Sequence, residues 1–179
     1  GNGRLIAIVV FDPDDRAAAS AELFERFARA AAVPPSIVVG LLAIRARDLE
    51  GLRESVADDF VFDDHRRTGL GRLVGVDAYV AALAALFELS ADAIAGEQLH
   101  YLVVEPWGFL AVAHNFGTLT EGGEFESVFL QIVSYPANGS HGGEVFELED
   151  LDAAKARFEE LRPDPSRIPP NAATRTRDR

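Results

Sequence analysis

Asp64 is the residue whose sequence neighbours best equip it for chemistry. It ends the run Phe60-Val61-Phe62-Asp63-Asp64. In an extended segment alternate side chains share a face, so Phe60, Phe62 and Asp64 point one way while Val61, Asp63 and His65 point the other. Two phenylalanines mark the first face as buried. A carboxylate closing a buried stripe loses water, which raises its pKa and makes it a candidate general base. The competing reading is that Asp64 sits at the strand exit and caps the turn at Thr68-Gly69, since perturbed carboxylates occur in structural networks as well as in sites. His114 shares an apolar face with Leu110, Val112 and Phe116. It is either a catalytic or ligand-contacting residue or a satisfied core histidine. His65 reads as a surface or interface residue, and His100 and His141 have no evident partner.

Other chemistries find no support in the spacing. No His-x-x-x-His or Glu-x-x-His lies on a helical stretch, so no metal is expected. Gly69-x-Gly71-x-x-x-Gly75 differs from a dinucleotide fingerprint and lacks the lysine of a phosphate-binding loop, so its glycines read as a turn and no cofactor is expected. Tyr101, Trp107 and Phe129 read as core or dimer contacts.

The elements that position these residues follow from periodicity. Leu5–Phe11 is β-rich and Asp12-Pro13-Asp14-Asp15 caps a helix from Ala17 to Ala32, closed by Pro34-Pro35. A second helix starts near Ser36, carrying Ile37, Leu41 and Ile44 on one face. Asp48 caps a third, with Leu49, Leu52 and Val56 inward. Phe60–Arg66 is a strand and Gly75–Glu88 a helix. After Gly96 the period switches to two, giving strands near Gln98–Glu105, Phe109–Thr120 and Phe125–Tyr135. A last strand near Glu144–Leu148 leads into a helix at Asp150–Leu161.

Composition bounds the function class. The chain has 179 residues, 48% of them hydrophobic, no cysteine and a net charge of −12. That suits one domain with appendages, without disulfides or thiolate metal sites. The acidity disfavours nucleic acid and anionic membrane. No membrane span or signal peptide is visible, and a cytoplasmic location is expected. From Arg162 onward the charge turns positive, and prolines at 163, 165, 169 and 170 oppose a helix, so 162–179 reads as a polar tail.

Two longer patterns complete the reading. Residues 11–25 align without gaps on 146–160, each an end of strand, an acidic cap and an amphipathic helix. Either two alanine-rich helices look alike by chance, or residues 1–33 are the closing strand and helix of a preceding tandem copy. The second pattern runs from Arg47 to Leu86: helix, short strand ending in carboxylates and a histidine, glycine-punctuated turn, second helix. It resembles the nuclear transport factor 2-like superfamily, which includes ketosteroid isomerases, SnoaL-like polyketide cyclases, scytalone dehydratases and many non-catalytic domains. The Asp-His-Arg and Phe-Glu-Leu-Glu-Asp-Leu-Asp segments are similar to C-terminal domains of actinobacterial multidomain regulators.

The resemblance covers about Ser36 to Leu161 and implies an α+β fold, a cone-like curved antiparallel sheet wrapped around the helices, with a SnoaL-like domain over 34–161. It implies that Asp64 stands where the isomerases hold their proton-shuttling aspartate. Their oxyanion-binding tyrosine and protonated aspartic acid fall at Gly40 and near Gln131. Asp64, His114, Tyr79 and Gln131 are therefore expected around one cavity, with Phe62 and Phe116 as further ligand contacts. Two functions are consistent with this. One is a non-catalytic small-molecule-binding or dimerising module of a regulatory protein. The other is a cofactor-free isomerase, cyclase or dehydratase acting on a hydrophobic carbonyl compound, with Asp64 as base. Expected partners are a small hydrophobic molecule and a second copy or tandem domain.

Overall fold

Helices begin where the sequence supplies caps. The structure, a computed structural model, describes residues 8–91, 95–135 and 142–164. The Asp12 side chain accepts a hydrogen bond from Asp14 N–H and opens a 3-10 turn at Pro13–Asp15 that runs into α1, Arg16–Ala30. Pro35, whose missing N–H costs nothing at a first helical position, starts α2, Pro35–Ala46. Arg47 ends α2 with φ 56°, and Asp48 caps α3, Leu49–Ser55, by accepting from Gly51 N–H at 2.9 Å. The Arg47 guanidinium donates to the carbonyls of Phe87 and Ser90, which ties the end of α2 to the end of α4, Val76–Glu88. A second 3-10 turn, Leu148–Asp150, precedes α5, Leu151–Glu160.

Six strands form one open sheet: β1 Val61–Asp64, β2 Gly71–Val74, β3 Ala95–Glu105, β4 Gly108–Thr118, β5 Glu124–Ser134 and β6 Gly142–Phe146. Their order is β2-β1-β6-β5-β4-β3. All neighbours are antiparallel except β1 and β6, which run parallel with Asp64 beside Val145. The α+β architecture expected from the sequence is present, with a mixed sheet in place of a wholly antiparallel one. Local patterning has no access to the β1–β6 pairing, because it joins segments far apart in the chain. Two register shifts in β3, at Gln98/His100 and Tyr101/Val103, bend that edge.

Two expectations need correction. The stretch read as a glycine turn contains β2, which pairs Gly71 with Asp64 and Leu73 with Phe62. A strand of four residues that begins at Gly71 and stops before Gly75 is too short to show a period. The strand expected over Leu5–Phe11 is not formed at Ile8–Phe11, where Ile8 and Val10 are exposed and unpaired; Leu5, Ile6 and Ala7 lie outside the described residues. Apolar β-formers adopt strand geometry only when a partner edge is available.

The sheet's period of two sorts its side chains between layers. Phe109 and Ala111 pack with Val133 and Tyr135 against Phe24, Ala28 and Val33 from α1 and its C-terminal turn, with α2 alongside. Leu110, Leu130, Ile132 and Phe146 instead pack against Ala154 and Phe158 of α5. The helices α2, α3 and α4 meet Phe60 and Phe62 in a third apolar cluster. The space left between that cluster and the sheet is the site.

Candidate functional site

Two adjoining chambers lie between α2–α4 and the inner face of the sheet. One is apolar, lined by Ile37, Gly40 and Leu41 of α2, Leu52 of α3 and Val133 of β5, among others. The other sets a polar wall, Arg45, Asp64, Arg66, Gln98 and Gln131, among apolar residues such as Leu83, Leu86 and Val145. Leu41, Ile44, Phe62, Tyr79 and Gln131 border both. Gly40 matters to the first chamber: a Cβ there would stand 2.9 Å from Ser55 Oγ. The residue that the resemblance aligned with an oxyanion tyrosine is thus a point of close helix packing.

Asp64 is buried, as the Phe60/Phe62 stripe required, but its state is the reverse of that expected. Arg66, two residues on and on the same side of the chain, folds back over it. Asp64 Oδ1 accepts from Arg66 N–H at 3.2 Å and Nε at 2.9 Å, and Oδ2 accepts from Arg66 Nη2 at 2.8 Å and Leu70 N–H at 3.1 Å. Burial alone would push this carboxyl up; the hydrogen bonds from Arg66 and Leu70 outweigh it and hold it below the ordinary value of 3.8. Arg66 is itself fixed by Ser127 Oγ at 3.2 Å and by the ring of Phe129, 4.8 Å from its guanidinium carbon. The turn closes over this pair through Gly69, where a Cβ would fall 2.3 Å from the Asp64 carboxylate.

Of the residues expected around one cavity, Asp64, Tyr79, Gln131 and Phe62 are brought together. Tyr79 is buried against Phe60 and Phe62, with ring centroids at 4.8 and 5.2 Å, and burial pushes its phenol above the ordinary value. His114 and Phe116 are not part of it. Both point to the other face of β4, into an open depression beside Arg16 and Glu126. There His114 Nδ1 lies 3.1 Å from Glu97 Oε1, and its ring stacks on Phe116 at 4.8 Å. The alternation that placed His114 with Leu110 and Val112 was sound, but that face belongs to the α5 side of the sheet. His65 lies opposite to Asp64 as expected, hydrogen bonded to Glu144 at 3.1 Å and stacked on Phe146. His141 is outside the described residues.

Among the cavity residues that escaped the sequence reading are Arg66, Arg45 and Gln98. Arg66 carried a signal, since i and i+2 share a face in an extended segment. So did Arg45, which continues the half-buried Ile37–Leu41 stripe at a four-residue spacing. Gln98 faces inward opposite Ala113 on β4. Among the described residues there is no group of three or more His, Asp or Glu that could hold a metal, and no helix long and apolar enough to cross a membrane.

No family model matches the chain, and no curated protein matches it. Solved structures do. A nuclear transport factor 2-like protein of unknown function from Burkholderia pseudomallei aligns with a TM-score of 0.51 at 16% identity, over 69% of this chain and 93% of that one. A Catenulispora acidiphila protein of ketosteroid isomerase-like fold, solved with trimethylamine, gives 0.52 at 12% identity, over 64% and 87%. A Mycobacterium tuberculosis protein solved with estradiol-17β-hemisuccinate gives 0.52 at 14% identity, over 64% and 92%. At these identities the likeness is one of fold. The open α+β sheet closed over by α2–α4, with a cavity between them, is the nuclear transport factor 2-like fold.

Proposed function

We propose that this protein is a small-molecule-binding module whose cavity holds its ligand without converting it. The observation that carries this reading is the Asp64 carboxylate. A carboxylate offers about four lone-pair positions, and four donors already occupy them. It has no free position to receive a substrate proton, and a carboxyl held below its ordinary value is a poor base at neutral pH. The cavity's apolar chamber and the steroid ester held by one structural neighbour support a small hydrophobic molecule as cargo. The 3-10 turn that leads into α1 recurs before α5, which supports reading the N-terminal segment as the end of a tandem copy; a homodimer and a place in a regulatory protein are further parts of the proposal.

The enzymatic reading keeps one observation in its favour: Asp64 shares a cavity wall with Tyr79 and Gln131, a carboxylate beside two hydrogen-bonding side chains. The two readings separate on a β,γ-unsaturated steroid ketone, with binding followed by titration and conversion followed by the ultraviolet absorbance of the conjugated product. Binding without conversion is expected. Conversion by the parent chain that disappears in Asp64→Asn would overturn the proposal.

A further inference from the structure

We propose that the ligand of this cavity is an organic anion, a hydrophobic compound whose carboxylate docks on a chain of donors that starts at Arg45 and ends at Gln131. The inference rests on the reading of the cavity as a binding site and adds the charge of what it binds.

The argument is a count of partners on the polar wall. Four side chains charged at neutral pH line it: Arg45, Asp64, Arg66 and Glu97. Asp64 and Arg66 neutralise each other through a two-pronged pair. Glu97 is met by Arg16 from α1 and by His114. Arg45 has no carboxylate within 4.0 Å among the described residues. Its Nη2 donates to two neutral acceptors, Ser20 Oγ at 3.3 Å and Gln98 Oε1 at 3.2 Å, and its Nη1 is shut off from solvent with no partner. The ring of Phe24 lies 5.6 Å from its guanidinium carbon, but a guanidinium withdrawn from water and matched only by neutral oxygens and an aromatic face still lacks a counter-charge. Burial accordingly pulls Arg45 below its ordinary value, with Tyr101 and Glu97 offsetting part of the effect.

Arginine also fixes the polarity of its neighbours, because it has donors and no acceptor. Gln98 must turn its oxygen to Arg45, which leaves its Nε2 to donate to Gln131 Oε1 at 3.4 Å. Gln131 then has its own Nε2 left over, at the border of both chambers. The wall therefore offers the ligand donors, and an anionic oxygen entering beside Gln131 meets a polarised amide backed by an unneutralised charge. The protein's net charge of −12 repels anions from its surface at large, so a preference for one must arise locally.

The test uses a shape-matched pair, 2-naphthoate and 2-naphthamide, titrated calorimetrically against the full chain at neutral pH. The naphthoate is expected to bind at least about tenfold tighter. In Arg45→Met that ratio should fall to about one while the amide's affinity stays within about threefold. Gln131→Leu, which leaves the charge in place, should narrow the ratio without abolishing it and serves if Arg45→Met does not fold. Equal binding of the two probes by the parent chain would overturn the anion inference and leave the binding module standing. Binding of neither at millimolar concentration would overturn both. Retention of the full ratio in Arg45→Met would move the anion site elsewhere and sink the assignment to Arg45.

Discussion

The ionisation of Asp64 is decided by a contest of two effects of similar reach, withdrawal from water and a bidentate guanidinium, and the second wins because four donors converge on two oxygens. Breaking a buried pair by removing one member leaves the other charge uncompensated and costs about 3 kcal/mol or more. Asp64→Ala should lose that much in urea unfolding, more than an exposed carboxylate would. Gly69→Ala should also destabilise, because its methyl would fall on the same carboxylate and the turn must shift to make room. If Gly69→Ala unfolds at the parent's urea midpoint, the tight closure over Asp64 is wrong. The identity of the buried carboxylate was legible from the phenylalanines two and four residues before it. Its partner was not read, although Arg66 lies two residues on within the expected strand Phe60–Arg66, because alternation gives the face a side chain takes and not that a guanidinium past the observed strand end at Asp64 folds back onto its neighbour.

At the scale of elements, α1 contributes to the core although it precedes the region that resembles the family. Phe24 and Ala28 are buried against Phe109 and Ala111, and Phe27 stacks on Tyr101 with ring centroids 3.6 Å apart. Large-to-small changes at fully buried aromatics cost about 3–5 kcal/mol, whereas exposed positions move stability by about half a kcal/mol or less. Phe24→Ala should therefore lower the urea midpoint sharply while Leu23→Ala, one residue away and 60% exposed, should barely move it. Equal effects would show that α1 does not dock as described. The helices and the three long strands were legible because each runs long enough to display its period. β2 was not, being four residues that begin with a glycine and end before another. The partition of β4 between two layers was legible as alternation, but which layer faces the cavity depends on where α5 returns, and that is decided by packing far along the chain. His114 and Phe116 were assigned to the wrong side for that reason.

For the molecule as a whole, acid stability is where these local arrangements become one measurable curve. The net charge of −12 at neutral pH means that acidification first relieves self-repulsion, so stability should hold or rise slightly from pH 7 toward the sequence pI of about 4.7. Two carboxyls then work against it. For Asp64 and for Glu97 burial favours the neutral form, but hydrogen bonds from Arg66 and Leu70 in one case, and from Arg16 and His114 in the other, hold them below their ordinary values. A carboxyl held lower in the folded than in the unfolded chain binds fewer protons when folded. Its contribution is complete above the unfolded value and is lost as pH falls through the folded one. Urea midpoints should therefore stay level to about pH 5 and drop steeply below about pH 4. Asp64→Asn removes one of the two protons taken up on unfolding, so its curve should start lower at neutral pH and fall less steeply in acid, converging on the parent near the acid limit. An acid limb in Asp64→Asn as steep as the parent's would mean that Asp64 is not held below its ordinary value. The claim that Arg66 keeps it from acting as a base would fall with it.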